Sequence, residues 1–242
     1  MSRDTDIANR LRAAGLSVVE VDGWQNRGSS DANFRGAVTH HTAGPATGNI
    51  PSLNTLIYGR SDLPGPLCNV AQARNNDAYV IASGRANHAG SGGWKGLSGN
   101  SSVYGLEIEN VGTGAEPWRQ DQVDTSARIQ AALIRGRAGA DMVCQHKEWT
   151  DRKIDAVDAD GNTFRGRVDY FLRHPHPQPK PPPARSGDDP MFIRSEGFGL
   201  FLVAPGGKVA QMNAGDWEAA RASAPTIPTV TLPKAAAEAL VY

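Results

Sequence analysis

The chain has 242 residues, enough for one large domain or two small ones. Its 25 basic and 25 acidic residues cancel, which argues against a nucleic-acid partner and, more weakly, against electrostatic docking on anionic lipid. Apolar residues make up 39%, too many for a disordered chain, and two cysteines are too few for a disulfide scaffold. No apolar run approaches the roughly 20 residues that span a bilayer. We therefore expect no membrane insertion.

The first half of the chain alternates helical and strand patterns. Apolar residues at helical spacing predict an opening helix that ends near Gly15, and LSVVEV predicts a short strand after it. GAVTHHT (36–42) predicts a strand that enters a loop. NVAQA and AYVIA flank the turn residues 75–77 and predict a hairpin. VYGLEIENV, which begins at Val103, predicts a further strand.

The next elements complete a large domain. Thr125–Ala138 is predicted as a helix and DMVCQH as the strand that follows it. Because helices and strands interleave, the fold class is α/β or α+β.

Proline marks the boundary of this domain. Seven of the 16 prolines lie between residues 175 and 190, a composition typical of a stiff, extended spacer. We therefore predict one large domain over 1–174, which would be the catalytic domain, a proline-rich linker over 175–190 and a small C-terminal module over 191–242. Basic and acidic residues balance within each of these three parts, so binding by bulk positive charge is disfavoured.

The C-terminal module is predicted to be β-rich. MFIRSEGFGLFLVAPGGKVAQM contains two β-rich runs joined by the turn residues APGG. A candidate helix over Asp216–Ala222, a short strand in PTVTL and a final helix over Lys234–Leu240 follow. A module of this size is close to the limit of independent stability.

Two adjacent histidines end the strand that begins at Gly36. Neighbouring side chains on a strand face opposite ways, so only one of His40 and His41 can contribute to a given site. For a single histidine, a polar residue at a strand end is the simpler interpretation.

A charged segment, QHKEWTDRKIDA (145–156), contains His146, Lys153 and Asp155. By itself it is interpreted most simply as a solvated loop. Together with His40 it offers two histidines and one carboxylate with a fourth position open, which is the ligand set of a hydrolytic zinc site. The sequence has no HExxH motif, so a helix-borne protease site is not indicated.

Two glutamates two residues apart share one face of the strand VYGLEIENV. Glu107 and Glu109 are either a solvated face of an edge strand or a carboxylate near the metal that accepts and redelivers a proton. Lys153 would then place a cation beside a developing oxyanion. Cys68 and Cys144 are expected to be buried small hydrophobic residues.

Four motifs in this order carry a family resemblance: THHTAG (39–44), NHAG (87–90), YGLEIEN (104–110) and HKEWTDRKIDA (146–156). Over about residues 15–172 the chain resembles the type 2 N-acetylmuramoyl-L-alanine amidases, a family that includes phage endolysins, cell-wall recycling amidases and peptidoglycan recognition proteins. The resemblance implies a mixed central β-sheet flanked by helices, with a groove that holds one Zn²⁺.

The resemblance also implies roles for individual residues. The zinc ligands would be His40, His146 and Asp155. Lys153 takes the place of the catalytic lysine. The acid/base residue of the family is a tyrosine or a glutamate, and this chain has Cys68 where the tyrosine is expected. We therefore assign the acid/base role to Glu107, with Glu109 as the second choice. Substrate contacts would come from His88, His41, Asn87 and Glu109.

The implied reaction is hydrolysis of the amide between N-acetylmuramic acid and L-alanine of the stem peptide. The linker and small module resemble the layout of Gram-positive phage endolysins, in which a second module holds the enzyme to the wall. Because FGLFLVAPGGKV (198–209) resembles C-terminal modules of actinobacteriophage lysins, the expected partner is the peptidoglycan of an actinobacterial host. The alternative is a module that dimerises or packs on the catalytic domain.

The first residues carry charges and no apolar signal segment, so we expect an enzyme that accumulates in the host cytoplasm until another phage protein opens the membrane. Two other functions stay open. One is a peptidoglycan-binding protein without activity, and the other is a zinc peptidase that cuts within the stem peptide.

Overall fold

The computed structural model of the chain describes residues 3–157 and 159–175, together with the backbone of four strands beyond them. The chain divides into two units, Met1–His176 and Pro177–Tyr242. In the first unit the helices are Ile7–Ala13 (α1), Leu53–Tyr58 (α2), Gln120–Ile134 (α3), His146–Trp149 (α4) and Gly161–Arg173 (α5). The strands are Val18–Glu20 (β1), Gly36–His41 (β2), Gly59–Arg60 (β3), Leu63–Pro64 (β4), Val70–Gln72 (β5), Ala78–Val80 (β6), Gly93–Trp94 (β7), Leu97–Ser98 (β8), Val103–Ile108 (β9) and Val143–Gln145 (β10).

Six of these strands form a mixed sheet in the order β1-β6-β5-β9-β2-β10. Strands β5 and β6 pair antiparallel, whereas β5–β9, β9–β2 and β2–β10 pair parallel. The predicted α/β (α+β) class with a mixed central sheet is therefore confirmed. The strand that carries Glu107 lies in the middle of the sheet, which excludes the first of the two alternatives, a solvated edge strand. Its pairing with β5 and β2 is a long-range feature that no local pattern reveals.

Apolar side chains cover both faces of this sheet. On one face α1, α3 and α5 contribute to a core that includes Ile7, Leu133 and Phe164. On the other face α2 packs Leu56 and Ile57 into a smaller cluster. Alternation along the strand explains the two clusters, because adjacent residues of a strand point to opposite faces. Both faces of the sheet are thus packed against apolar clusters, whereas the ends of its strands are available to form a site.

Local signals explain where several helices begin and end. The predicted opening helix is confirmed as α1. It ends at Ala13, and Gly15 then adopts a positive φ of 74°, which glycine favours after the end of a helix. Helix α5 begins after Asp160, whose carboxylate accepts hydrogen bonds from the backbone amides of Asn162 and Thr163. No helix within 3–157 and 159–175 combines the length and apolar character required to cross a bilayer.

Two predicted boundaries were wrong. Helix α3 starts at Gln120 rather than Thr125 and ends at Ile134 rather than Ala138. The first turn of the helix consists mainly of polar residues, so apolar residues do not yet recur there at helical spacing. The sequence pattern therefore does not reveal where the helix begins. The segment 145–156 is not a continuous loop, because its first residues form α4 with a capping box between Gln145 and Glu148.

In the second unit, the strands are Met191–Ser195 (β11), Gly199–Val203 (β12), Val209–Met212 (β13) and Thr229–Thr231 (β14). They form a sheet in the order β13-β12-β11-β14, in which only β11 and β14 pair parallel. The predicted helices over 216–222 and 234–240 and almost all of the predicted linker lie outside the described residues. The three-part domain division stays a prediction.

Candidate metal centre

The carboxyl ends of three adjacent parallel strands meet at one edge of the sheet. His40 near the end of β2 lies opposite Glu107 of β9 in the register, and His146 follows the last residue of β10 directly. Parallel pairing therefore brings three residues from distant parts of the sequence to the same place. Open α/β sheets generally bind ligands at this edge.

Three potential ligand atoms converge there. The Nδ1 atoms of His40 and His146 are 2.9 Å apart, and the Oδ2 atom of Asp155 lies 3.3 Å from the first and 3.0 Å from the second. Ligands at about 2.1 Å from a tetrahedral ion lie roughly 3.4 Å from one another. Two imidazoles and a carboxylate at this spacing fit a zinc ion, and within the described residues they form the only such group.

Neighbouring backbone atoms hold two of the three potential ligands. The Nε2 atom of His146 lies 3.2 Å from the carbonyl oxygen of Ala89, which fixes the orientation of the ring. The backbone amide of Lys147 donates to the carbonyl oxygen of Asp155 at 2.7 Å and ties the last part of the segment to α4. The site is therefore built by strand ends and one short helix rather than by a free loop.

The charges of this group are shaped by its burial. Burial lowers the pKa of His40 to about 4, so the ring is neutral and has a lone pair to offer. Burial alone would raise the pKa of Asp155, but the close contacts with His146 and His40 outweigh it and hold that pKa below its usual value. The neutral imidazole of His40 and the ionised carboxylate of Asp155 are in the protonation states that a zinc site requires.

A cavity of about 510 Å³ opens above the three residues. Both Glu107 and Lys153 line it, as the sequence predicts for the two catalytic positions. The Oε2 atom of Glu107 is buried and has no hydrogen-bond partner among the described residues. Burial, followed by the negative charges of Asp155 and Glu109, raises the pKa of Glu107 well above its usual value. Glu107 is thus an unpaired acid that faces the cavity.

Glu109 does not line the cavity, although the sequence predicts it as a substrate contact. The residue is fully buried, and its carboxylate accepts hydrogen bonds from Thr42 Oγ1 at 2.8 Å and from the amide and hydroxyl of Ser52 at 3.1 and 3.0 Å. A Cβ atom at Gly44 would lie 2.2 Å from Oε1 of Glu109, which explains the glycine of THHTAG. Glu109 anchors the loop after β2.

The other predicted substrate residues line the cavity, and each has one side-chain polar atom engaged with a backbone carbonyl. Asn87 donates to the carbonyl oxygen of Pro64 at 2.9 Å, and His41 Nδ1 lies 3.3 Å from the carbonyl oxygen of Ala156. His41 points away from the three ligand atoms, as strand alternation predicts.

His88 lies closest to the metal ligands. Its Nδ1 atom is 3.0 Å from Nε2 of His40, and its Nε2 atom is 3.3 Å from the carbonyl oxygen of Val103. Burial and the neighbouring His40 lower the pKa of His88 well below its usual value. Both ring nitrogens therefore have partners within the protein, which leaves the ring edge rather than its polar atoms for a substrate.

The cavity also includes residues that the sequence analysis missed. Arg60 on the short ribbon β3–β4 and Arg152 and Ile154 of the segment 145–156 line it. Ile154 is 82% exposed, and it also borders a second cavity of about 420 Å³ that contains Trp118. An apolar residue within a charged run was the available signal for Ile154, whereas nothing in the sequence marks Arg60.

Both cysteines are free and buried, as predicted. Burial raises the pKa of each thiol, for Cys68 well above its usual value. Neither thiol lines the cavity. The position at which the tyrosine was expected is thus occupied by a packed core residue.

Comparisons with known proteins identify the family of this chain. A family model described as N-acetylmuramoyl-L-alanine amidase matches residues 30–158, more than half of the chain. No curated protein sequence matches.

Several solved structures are similar in fold. AmpDh3 from Pseudomonas aeruginosa is 18% identical with a TM-score of 0.38 over 53% of this chain, which spans 57% of that protein. A mutant endolysin from Bacillus subtilis is 16% identical with a TM-score of 0.46, covering 63% of this chain and 99% of that one. AmiD from E. coli is 18% identical with a TM-score of 0.43, covering 72% and 74%.

Proposed function

Because the chain belongs to the N-acetylmuramoyl-L-alanine amidase family, we propose that it is a zinc-dependent peptidoglycan hydrolase of the endolysin type. It would cut the amide between N-acetylmuramic acid and L-alanine of the stem peptide. The observation that carries the proposal is the convergence of His40, His146 and Asp155 within 3.3 Å of one another beside Glu107. Zinc held by these three residues would polarise a carbonyl group and lower the pKa of water.

Glu107 is the residue suited to move the proton. Its raised pKa brings the carboxyl closer to the pH at which an acid/base catalyst is most effective. Its Oε2 atom has no competing hydrogen bond within the described residues. In the proposed reaction Glu107 accepts the proton of the attacking water and gives it to the nitrogen of the leaving alanine.

Lys153 is suited to stabilise the oxyanion that develops on the lactyl carbonyl. Its side chain is exposed and lines the cavity, and no ion pair neutralises it among residues 3–157 and 159–175. A fixed cation placed beside developing charge is worth more in the transition state than in the ground state. Lys153 would therefore act on turnover rather than on metal binding.

Digestion of purified peptidoglycan tests the reaction directly. We expect the wild-type protein to release new L-alanine amino groups without new reducing sugars, and His146→Ala to release neither. Mass spectrometry of the soluble products identifies the bond. Reducing ends would indicate a glycosidase and contradict the proposal.

The same digestion separates the alternatives. New amino groups on later residues of the stem peptide would indicate a zinc peptidase. Binding without any cleavage would indicate a recognition protein, which has no need for the convergent His40, His146 and Asp155. That convergence favours an enzyme.

For the C-terminal module we propose attachment to the wall of an actinobacterial host. A proline-rich segment followed by a small β-rich unit supports this proposal. A fluorescent fusion of residues 187–242 should sediment with purified actinobacterial walls, whereas the fluorescent protein alone should not. Full-length His146→Ala, which should not digest the wall, provides the same readout with the whole chain. Failure of both proteins to sediment would contradict wall binding. Accumulation in the host cytoplasm until another phage protein opens the membrane stays a prediction.

A further inference from the structure

We propose that the NHAG segment is a positioning element for the metal centre, and that His88 acts through His40 to fix the nitrogen that His40 offers to zinc. This inference rests on the proposed function, since it concerns the same zinc site. It differs from the substrate contact that the sequence predicts for His88.

A chain of hydrogen bonds determines where each proton lies. The carbonyl oxygen of Val103 can only accept, so the Nε2 atom of a neutral His88 carries the proton. The Nδ1 atom of His88 is then an acceptor, and Nε2 of His40 must donate to it across 3.0 Å. This leaves the lone pair of His40 on Nδ1, the atom that faces His146 and Asp155.

The next residue of the segment does the same for the second histidine. The carbonyl oxygen of Ala89 accepts from Nε2 of His146 at 3.2 Å, and in the neutral form of the ring that can ligate a metal this leaves the lone pair on Nδ1 as well. Residues 88 and 89 therefore orient both histidine ligands, one through a side chain and one through the backbone.

The surroundings hold the segment in this position. The backbone amides of His88 and Ala89 both donate to Oδ1 of Asn100, at 3.1 and 2.8 Å. A Cβ atom at Gly105 would lie 2.6 Å from Cγ of His88, so this position of β9 must be glycine for the ring to pack there. The glycine of YGLEIEN thus leaves the space that the histidine ring of NHAG occupies.

The test compares two side chains of nearly the same shape at position 88. His88→Asn places an acceptor oxygen where Nδ1 lies, whereas His88→Leu has no acceptor. We expect His88→Leu to weaken zinc binding about 10- to 100-fold. His88→Asn should stay within a few-fold of the wild type. Competition with a chromophoric chelator gives the dissociation constants, and urea unfolding of the metal-free proteins checks that each is folded.

Further variants keep the result interpretable. His88→Gln moves the polar group towards the position of Nε2 and should bind zinc as weakly as His88→Leu, which provides a test if the leucine variant does not fold. His174→Leu removes an exposed histidine outside the cavity and should not change the zinc affinity.

Unchanged zinc affinity in a folded His88→Leu, or an equal loss in the asparagine and leucine variants, would overturn the inference. A wild-type protein that binds zinc and cleaves peptidoglycan would then leave the proposed function standing. A wild-type protein that binds no zinc would overturn both.

Discussion

Replacing Glu107 with glutamine should lower kcat by about 10²- to 10⁴-fold, the usual contribution of a positioned general acid/base. Glutamine keeps the size and polarity of the side chain but cannot accept and redeliver a proton. Because Glu107 is not one of the three convergent ligands, zinc should remain bound. Turnover of a soluble muramyl-peptide substrate, measured with the zinc content of the same sample, tests both statements.

Stability of the metal-free variant provides an independent readout. The pKa of Glu107 is raised in the folded protein, so its contribution to stability is present below the unfolded pKa and is lost as the pH rises. The advantage of glutamine over glutamate in the free energy of unfolding should therefore grow as the pH rises above about 4.3, the usual pKa of glutamate in an unfolded chain. A residue that costs stability but is needed for turnover is typical of an active site.

Glu109→Gln is the matched control, because it makes the same chemical change two residues away. It disturbs the hydrogen bonds from Thr42 and Ser52, each worth about 1–3 kcal/mol when a buried group loses its partner. We expect a lower free energy of unfolding with most of the turnover retained by the folded protein. If Glu109→Gln instead abolished turnover and Glu107→Gln did not, the two roles would be reversed.

These two glutamates show where sequence reasoning reaches its limit. Alternation places both on one face of the strand, and no local signal separates them. In the structure β9 ends at Ile108, so the direction of Glu109 is set by the loop that carries Ser52, 57 residues earlier in the sequence. The distinction depends on a long-range contact.

The same limit applies to the histidines. Strand alternation correctly separates His40 from His41, because that contrast is local. The motifs also predict His146 and Asp155 as metal ligands, and the structure places these two residues next to each other. The partners of His88 are His40, 48 residues away, and a backbone carbonyl that has no sequence signature. A motif can therefore mark the importance of His88 without revealing its contacts.

Loss of one ligand should abolish both zinc-dependent stability and turnover. In the wild type, zinc at 1,000 times its dissociation constant should raise the free energy of unfolding by about 4 kcal/mol, and chelation should reverse this. Asp155→Ala removes the only carboxylate of the group, so the zinc-induced rise in Tm and the activity should both disappear.

Asp151→Ala is the matched control for this change. Asp151 is exposed, lies four residues earlier in the same segment and does not line the cavity. Thermal unfolding with and without zinc, followed by an activity assay, compares the two variants. If Asp155→Ala kept the full zinc-dependent shift, the third ligand would have to be a different residue. If Asp151→Ala lost the shift as well, the effect would arise from the fold of the segment rather than from ligation, because Asp155 is positioned there by its backbone bond to Lys147.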